Sequence, residues 1–347
     1  MPTEADYLAL ISGRSRGIGP ALARTGLLAI EPLYRGIIRT RNTLFDQRFK
    51  ASHYLGKPTI SVGNITTGGT GKTPVVQWLA DRLIQLGHHP AILLRGYRST
   101  GGVSDEAELL KRPGVEVEAN PDRVTGAMAV LARSPQTDVF ILDDGFQHRR
   151  ARRNFDLVLI DATNPFGHGH VLPRGLLREP PSSLARAGAI LITHADAEAN
   201  LSAMKLHLRQ HAPAAPIFAS HHAFGGLIDA DGRDIDLARV GRCLAVAGIG
   251  NPDAFYHGLR SRGLHVVDTW SPGDHHAFTP ADVQRLREHG IVDTIVVTEK
   301  DWVKLKAIRG VDELPIARAK LRIDFADGDA DALLTLILQK CPFSPSS

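Results

Sequence analysis

From residue 59 onward, short apolar runs rich in β-branched residues alternate with segments whose apolar positions recur every three to four residues. That alternation of periods two and 3.6 is the pattern of an α/β protein built on a parallel sheet. The strand candidates are Thr59 to Val62, Ala91 to Leu94, Val139 to Leu142, Leu157 to Ile160, Ala189 to Thr193, Cys243 to Ala247 and Thr294 to Thr298. They fall into two groups on either side of AFGGLIDADGRDI, where alternating residues flank an Ala-Asp-Gly turn. This reads as a β-hairpin linker, and it divides the chain into a first lobe at 51–216, the linker at 217–236 and a smaller second lobe at 237–347.

Ahead of the lobes the pattern changes. Between Pro20 and Phe45, Ile30, Leu33, Tyr34, Ile37 and Ile38 fall at helical spacing while Arg35, Arg39 and Arg41 take other faces. An amphipathic helix follows, with Pro32 expected to divide it because proline is poorly tolerated inside a helix. Such a helix either docks on the protein's own core or lies in a membrane interface.

Charge sharpens this choice. The 347 residues carry 41 Lys+Arg against 37 Asp+Glu, a net +4. Residues 1–50 hold eight basic and four acidic side chains, and the remainder balances at 33 against 33. The whole excess therefore sits on the helical N-terminal segment, which suits an anionic membrane surface better than a nucleic acid. An apolar fraction of 43% and a charged fraction of 22% exclude disorder and fibrous classes. Two distant cysteines exclude a disulfide framework and a zinc ribbon. No signal-peptide pattern opens the chain, and no stretch approaches the ~18 apolar residues of a spanning helix, so a cytoplasmic-side, peripheral protein is expected.

The strongest chemical signal is PTISVGNITTGGTGKTPVVQWLADRL. An apolar strand enters a glycine-rich turn, then Gly71-Lys72-Thr73, then a helix. Glycines let backbone N–H groups approach phosphates, the helix N-terminus adds its dipole, Lys72 reaches the terminal phosphates, and the Thr73 hydroxyl suits Mg²⁺. The cradle would comprise Thr66, Thr67, Gly68, Gly69, Thr70, Gly71, Lys72 and Thr73, with Thr66 standing where the usual P-loop pattern has a glycine. The apolar run Val139 to Leu142 ends in Asp143 and Asp144, the layout that brings a carboxylate to the nucleotide-bound Mg²⁺. N-capping is the plainer reading of that pair, and Asp161 at the end of Leu157 to Ile160 competes with it. Gly13-Arg14-Ser15-Arg16-Gly17-Ile18-Gly19 fits a dinucleotide-binding GxxxGxG pattern but is followed by a basic helical segment and lacks the acidic residue a Rossmann unit needs. Arg149-Arg150-Ala151-Arg152-Arg153 lacks aromatic interleaving, so it reads as phosphate neutralisation or a solvated face. Thr298-Glu299-Lys300-Asp301 ends a strand of the second lobe, where it would face the cleft or the nucleotide base, and is not placed further.

Taken in order, SVGNITTGGTGKTP, LLRGYRS, SDEAELL, LDDGFQHRR, VLPRGLLREP, VAGIGNPDAF, GDHHAF and VVTEKDWVKL make the chain resemble the tetraacyldisaccharide 4'-kinase family of the lipid A pathway over most of its length. That family's P-loop also lacks the first glycine. The resemblance implies a two-lobed P-loop fold, ATP and Mg²⁺ as cofactors, and an acylated disaccharide lipid as substrate at the cytoplasmic face of the inner membrane, with no obligate protein partner. It implies that Asp105 lies beside the reacting 4'-hydroxyl, that His275 of the DHH segment pairs with it, and that Arg178 meets the developing phosphate charge. Glu106 would stand near Mg²⁺ with Thr73, Asp143 and Asp144. Read alone, Asp105 and Glu106 are first-turn helix acids, and either His275 or His276 would pass as a surface histidine. An alternative of another class is a membrane-associated P-loop switch ATPase, although that class has a lysine where Thr67 stands.

Overall fold

The computed structural model describes residues 4–96, 99–100, 103–197, 200–250, 252–273, 276–290 and 292–342. His275 lies outside the described residues. In chain order the elements begin with helices α1 (Glu4–Ile11) and α2 (Ile18–Asp46), strand β1 (Thr59–Asn64), helix α3 (Lys72–Gln85) and strand β2 (Pro90–Leu94). A short antiparallel pair, β3 (Ser99–Thr100) and β4 (Val103–Ser104), leads into α4 (Asp105–Leu110). Then come β5 (Glu116–Ala119), α5 (Arg123–Arg133), β6 (Val139–Asp143), β7 (Phe155–Asp161), β8 (Ala189–Thr193), α6 (Leu201–His211), β9 (Ile217–Ile228) and β10 (Asp234–Ile235). The chain continues through β11 (Arg242–Val246), α7 (Pro252–Ser261), β12 (His265–Trp270), α8 (Pro280–Arg287), β13 (Thr294–Thr298), α9 (Glu299–Leu305), β14 (Ile316–Phe325) and α10 (Asp329–Lys340).

These elements form two compact units. The first comprises Met1–Arg95, Arg112–His221 and Phe325–Ser347; the second comprises Gly96–Lys111 and His222–Asp324. The division expected from the sequence was contiguous, and it differs here. The N-terminal helices and α10 belong with the first unit, and residues 96–111, carrying Asp105 and Glu106, belong with the second. The expected hairpin is present, since Ile228 and Leu227 of β9 pair antiparallel with Asp234 and Ile235. The boundary between units falls inside β9.

In the first unit the strand order is β9-β8-β7-β1-β6-β2-β5, with every pair parallel. β1, β2, β6 and β8 are buried at every position, as a parallel sheet covered on both faces requires. Phe140 and Leu142 of β6 pack with Ala127 and Val130 of α5, while Val158, Ile160, Ile190 and Ile192 pack with Met204 and Leu208 of α6. In the second unit the order is β12-β11-β13-β14-β9, with β10 on β9. Period two is visible in β11: Leu244 and Val246 join α8 and α9 through Val283, Leu286 and Trp302. Cys243 and Ala245 instead join α7 through Tyr256 and Leu259.

The helix α2 runs unbroken through Pro32, against the expectation that proline divides it. Its neighbours are tied down by tertiary contacts. Glu31 is buried and accepts from Arg35 and Val171 N and pairs with His170 Nδ1 at 2.8 Å. Tyr34 Oη donates to Arg178 O at 3.1 Å. These anchors offset the one backbone bond that proline removes. The Gly13 to Gly19 stretch is the α1–α2 connection and start of α2, and Leu8 to Ile11 is helical rather than a strand, so no dinucleotide-binding unit forms there.

Candidate active site

Parallel strands deliver their carboxyl ends to one edge, and the loops leaving β1, β6 and β7 meet there in the first unit. The loop after β1 carries the glycine-rich turn. Thr66, in the place of the usual glycine, is buried and bridges antiparallel to Leu177, an extended conformation that a β-branched residue favours. Thr67 N and its hydroxyl both donate to Leu176 O, at 2.8 and 3.3 Å. Arg178 N donates to Ile65 O at 2.7 Å. Asn64 Nδ2, buried beneath the loop, donates to Thr70 Oγ1 at 2.9 Å, and Thr193 Oγ1 donates to Thr70 O at 3.1 Å. The loop is thus stitched from below and from the side, leaving Gly68 and Gly69 exposed. Gly68 takes a φ of 107° and Gly71, the residue before α3, a φ of 74°. Both lie in the left-handed region where glycine is unstrained. Lys72 and Thr73 open the helix, so the positive end of its dipole faces the loop.

The Asp143-Asp144-Gly145-Phe146-Gln147 turn packs against the end of β1. A Cβ on Gly63 would stand 2.7 Å from Phe146 N, and one on Gly145 would stand 2.7 Å from Leu142 Cβ. Glycine at these two places lets the turn close onto the P-loop strand. Gln147 Nε2 donates to Asn64 O at 2.8 Å, completing the closure.

Asp144 sits at the centre of the charge arrangement. Its backbone is left-handed, with φ 52°, a position that costs a non-glycine residue about 1 kcal/mol or more. In return its carboxylate pairs with Arg178 Nη1 at 2.6 Å and stands 3.6 Å from Lys72 Nζ. Burial alone would raise its pKa, but Lys72 and Arg178 overcome that and hold it below the ordinary carboxylate value. Asp143 ends β6, is buried, and its carbonyl accepts from Arg123 Nη2 at 3.4 Å.

The other candidates resolve as follows. Asp161 caps the turn after β7, accepting from Thr163 N and Oγ1, and pairs with His194 at 3.1 Å; this capping reading, rather than a metal-ligand one, fits its partners. Arg150 and Arg152 are exposed, as a solvated face requires, and three of the four arginines are drawn into ion pairs. Arg149 pairs with Asp46 at 2.6 Å, Arg150 with Asp122 at 3.0 Å and Arg153 with Asp156 at 2.9 Å. Asp105 and Glu106 open α4 in the second unit. His276 is held by its ring: Nε2 meets Asp282 Oδ2 at 3.1 Å, and the imidazole packs edge-on against Phe278 at 5.0 Å.

Sequence reasoning missed Asn64 and Glu179. Glu179, next to Arg178, is 0% exposed. It accepts from Arg41 and Asn42 of α2 at 3.4 and 2.7 Å and from Arg186 at 2.9 Å. The 170–179 segment therefore carries α2 on one side and the P-loop and Arg178 on the other. A polar residue closing an apolar strand and an acid inside an otherwise apolar-basic string were the available signals.

Hard oxygen donors suit a hard cation. Asp143, Asp144 and the Thr73 hydroxyl give two carboxylates and an alcohol, the kind of sparse set with which Mg²⁺ is held together with nucleotide phosphates. Asp144 Oδ1 is buried and has only the Lys72 ammonium near it, at 3.6 Å, so an oxygen-seeking cation fits the donor set.

A parallel sheet with a glycine-rich strand–loop–helix phosphate cradle, and a lysine and arginine converging on a strand-end aspartate, has the layout of a P-loop phosphotransferase. A family model described as "Tetraacyldisaccharide-1-P 4'-kinase" matches residues 23–341. The chain is 38% identical to the tetraacyldisaccharide 4'-kinase of Anaeromyxobacter dehalogenans strain 2CP-C, over 82% of each chain. It is 35% identical to that of Pelobacter propionicus, over 95% of this chain and 97% of the relative. The crystal structure of the "apo" form of LpxK from Aquifex aeolicus in complex with ATP superposes with a TM-score of 0.72 at 29% identity, covering 92% of this chain and 99% of that one. The chain belongs to the tetraacyldisaccharide 4'-kinase family, and it is a kinase.

Proposed function

We propose that this chain transfers the γ-phosphoryl group of ATP to the 4'-hydroxyl of a tetraacyldisaccharide 1-phosphate, forming the lipid IVA-type product, with the phosphates held over the glycine-rich turn. One observation carries the chemistry: Lys72 and Arg178 converge on Asp144 beside that turn. Phosphoryl transfer asks mainly for positioning and for cations near the equatorial oxygens, and this triad fixes two cations before any nucleotide arrives. Backbone N–H groups from Gly68 to Lys72 would meet the phosphates. Asp143, Asp144 and Thr73 would hold Mg²⁺, which would supply further neutralisation of phosphate charge.

The acceptor side rests on Asp105 and His275. An alcohol needs its proton taken or oriented as the new bond forms, and a carboxylate backed by an imidazole does this. His276 is committed to Asp282 and Phe278, which favours His275 for the role. Asp105→Asn and His275→Ala should each lower kcat about a hundredfold or more with the KM for ATP little changed. Loss of ATP affinity in place of kcat would remove both residues from the acceptor side.

The membrane surface is the second partner we propose. Along α2, Ile18, Leu22, Ile30, Leu33 and Ile37 are exposed. At 100° per residue they share one face, beside Tyr34 and turned away from Glu31 and Ile38, which dock on the body, while Leu28, also exposed, lies off that face. Docking on the protein's own body accounts for one face of this helix, and the exposed apolar face supports the membrane reading of the other. No helix among the described residues is long and apolar enough to cross a membrane, and a half-exposed amphipathic helix with arginines alongside suits lying in an interface.

A further inference from the structure

The TEKDWVKLK string, without an assigned role so far, forms α9, which has contacts toward two places that matter for the acceptor side. All of them lie within the second unit. At its start, Thr298 caps the helix and Asp301 is fully buried. Asp301 Oδ2 accepts from Thr298 Oγ1 at 2.7 Å and from Gly248 N at 2.9 Å. A Cβ on Gly248 would meet Asp301 Oδ1 at 2.8 Å and Gly273 O at 3.1 Å. Asp301 is therefore wedged where the loop after β11 abuts the chain just before residues 274 and 275. One turn on, Lys304 Nζ donates to His276 O at 3.2 Å, the residue that follows those two in the chain. Beyond the helix end, Lys306 Nζ pairs with Glu108 Oε2 at 2.8 Å. Glu108 is on α4, one turn after Asp105, and its other oxygen is taken by Lys111 of the same segment.

We propose that Lys304 and Lys306 are positioning residues for phosphoryl transfer: α9 fixes the helix that begins with Asp105 through Lys306–Glu108 and the chain flanking residues 274–275 through Lys304–His276. The proposal rests on the acceptor-side reading of Asp105 and His275 above. Its physical content is distance. A displacement of about 1 Å at a reacting group can cost a hundredfold in rate, while an exposed ion pair such as Lys306–Glu108 contributes only about 0–1 kcal/mol to folding. Removing either lysine should therefore act on the rate far more than on stability.

The test compares kcat, the KM for ATP and the unfolding midpoint in Lys304→Met, Lys306→Met, Lys306→Arg and Lys111→Met, with Asp105→Asn alongside. The proposal predicts that Lys304→Met and Lys306→Met lower kcat about tenfold at unchanged ATP KM and midpoint, and that Lys306→Arg restores most of it. Lys111→Met stays near wild type, because Lys111 grips the same carboxylate without reaching α9. If Asp105→Asn is impaired while the Lys304 and Lys306 variants keep full kcat, the positioning role fails and the acceptor-side reading stands. Equal losses in Lys111→Met and Lys306→Met also overturn it, since the effect would then be local to α4. Full activity in Asp105→Asn overturns the reading beneath and the proposal with it.

Discussion

Asp144 shows how a strained backbone can aim a single carboxylate. Its left-handed φ and its two cationic partners are inseparable, because the turn that strains it is what aims it at Lys72 and Arg178. Four residues on, His148 shows the opposite electrostatics. Burial and the nearby Arg123 push its pKa down to about 4, and its Nε2 is buried without a hydrogen-bond partner among the described residues. The unfolded chain, with an ordinary histidine near 6.5, binds more protons between those two values than the folded one. Stability should therefore fall as pH drops from about 6.5 toward 4. Urea midpoints at pH 7 and pH 5 check this: the drop should shrink in His148→Gln, and an unchanged drop would place the titrating group elsewhere.

At the scale of elements, the strands buried on both faces were legible because they are short, apolar and β-branched. β1, β2, β6, β7, β8, β11 and β13 all lie where the hydrophobic pattern puts them. β5, β12 and β14 were not legible. Glu116–Ala119 and His265–Trp270 are edge strands with exposed or half-exposed positions, and β14 mixes arginines and lysine into its alternation, so burial leaves little trace in their composition. Pro32 misled for a related reason. Local propensity breaks a helix there, and the decisive contacts, from Glu31 to His170 and from Tyr34 to Arg178 O, come from about 140 residues away. The glycine-rich turn, Lys72 and the aspartate pair stood out in the sequence, and the structure brings Lys72 to Asp144, while the 170–179 segment that packs against them left no such pattern. Glu179 is the keystone of that segment. Glu179→Ala leaves Arg41 and Arg186 without their buried counter-ion, and a cost of about 3 kcal/mol is expected, read from denaturant midpoints. A loss below about 1 kcal/mol would show that the network contributes little.

For the whole molecule, the net +4 and the exposed apolar face of α2 point the same way. Arg35 is bound to Glu31, so reversing its charge would also loosen the helix's own anchor. The cleaner probe is Leu22→Ser, Leu33→Ser and Ile37→Ser together, at positions 67%, 67% and 59% exposed. This variant should fold normally, lose sedimentation with anionic vesicles, and lose activity on bilayer-presented acceptor far more than on micelle-dispersed acceptor. Equal losses on both would argue against a docking role. The central claim, phosphoryl transfer to a lipid alcohol, is tested most directly by following the label from γ-labelled ATP with and without acylated disaccharide 1-phosphate. The account predicts label in the lipid at the 4'-position, only when acceptor is present, with none in Asp144→Asn. Label released as inorganic phosphate at the same rate without acceptor would contradict it and favour a switch ATPase.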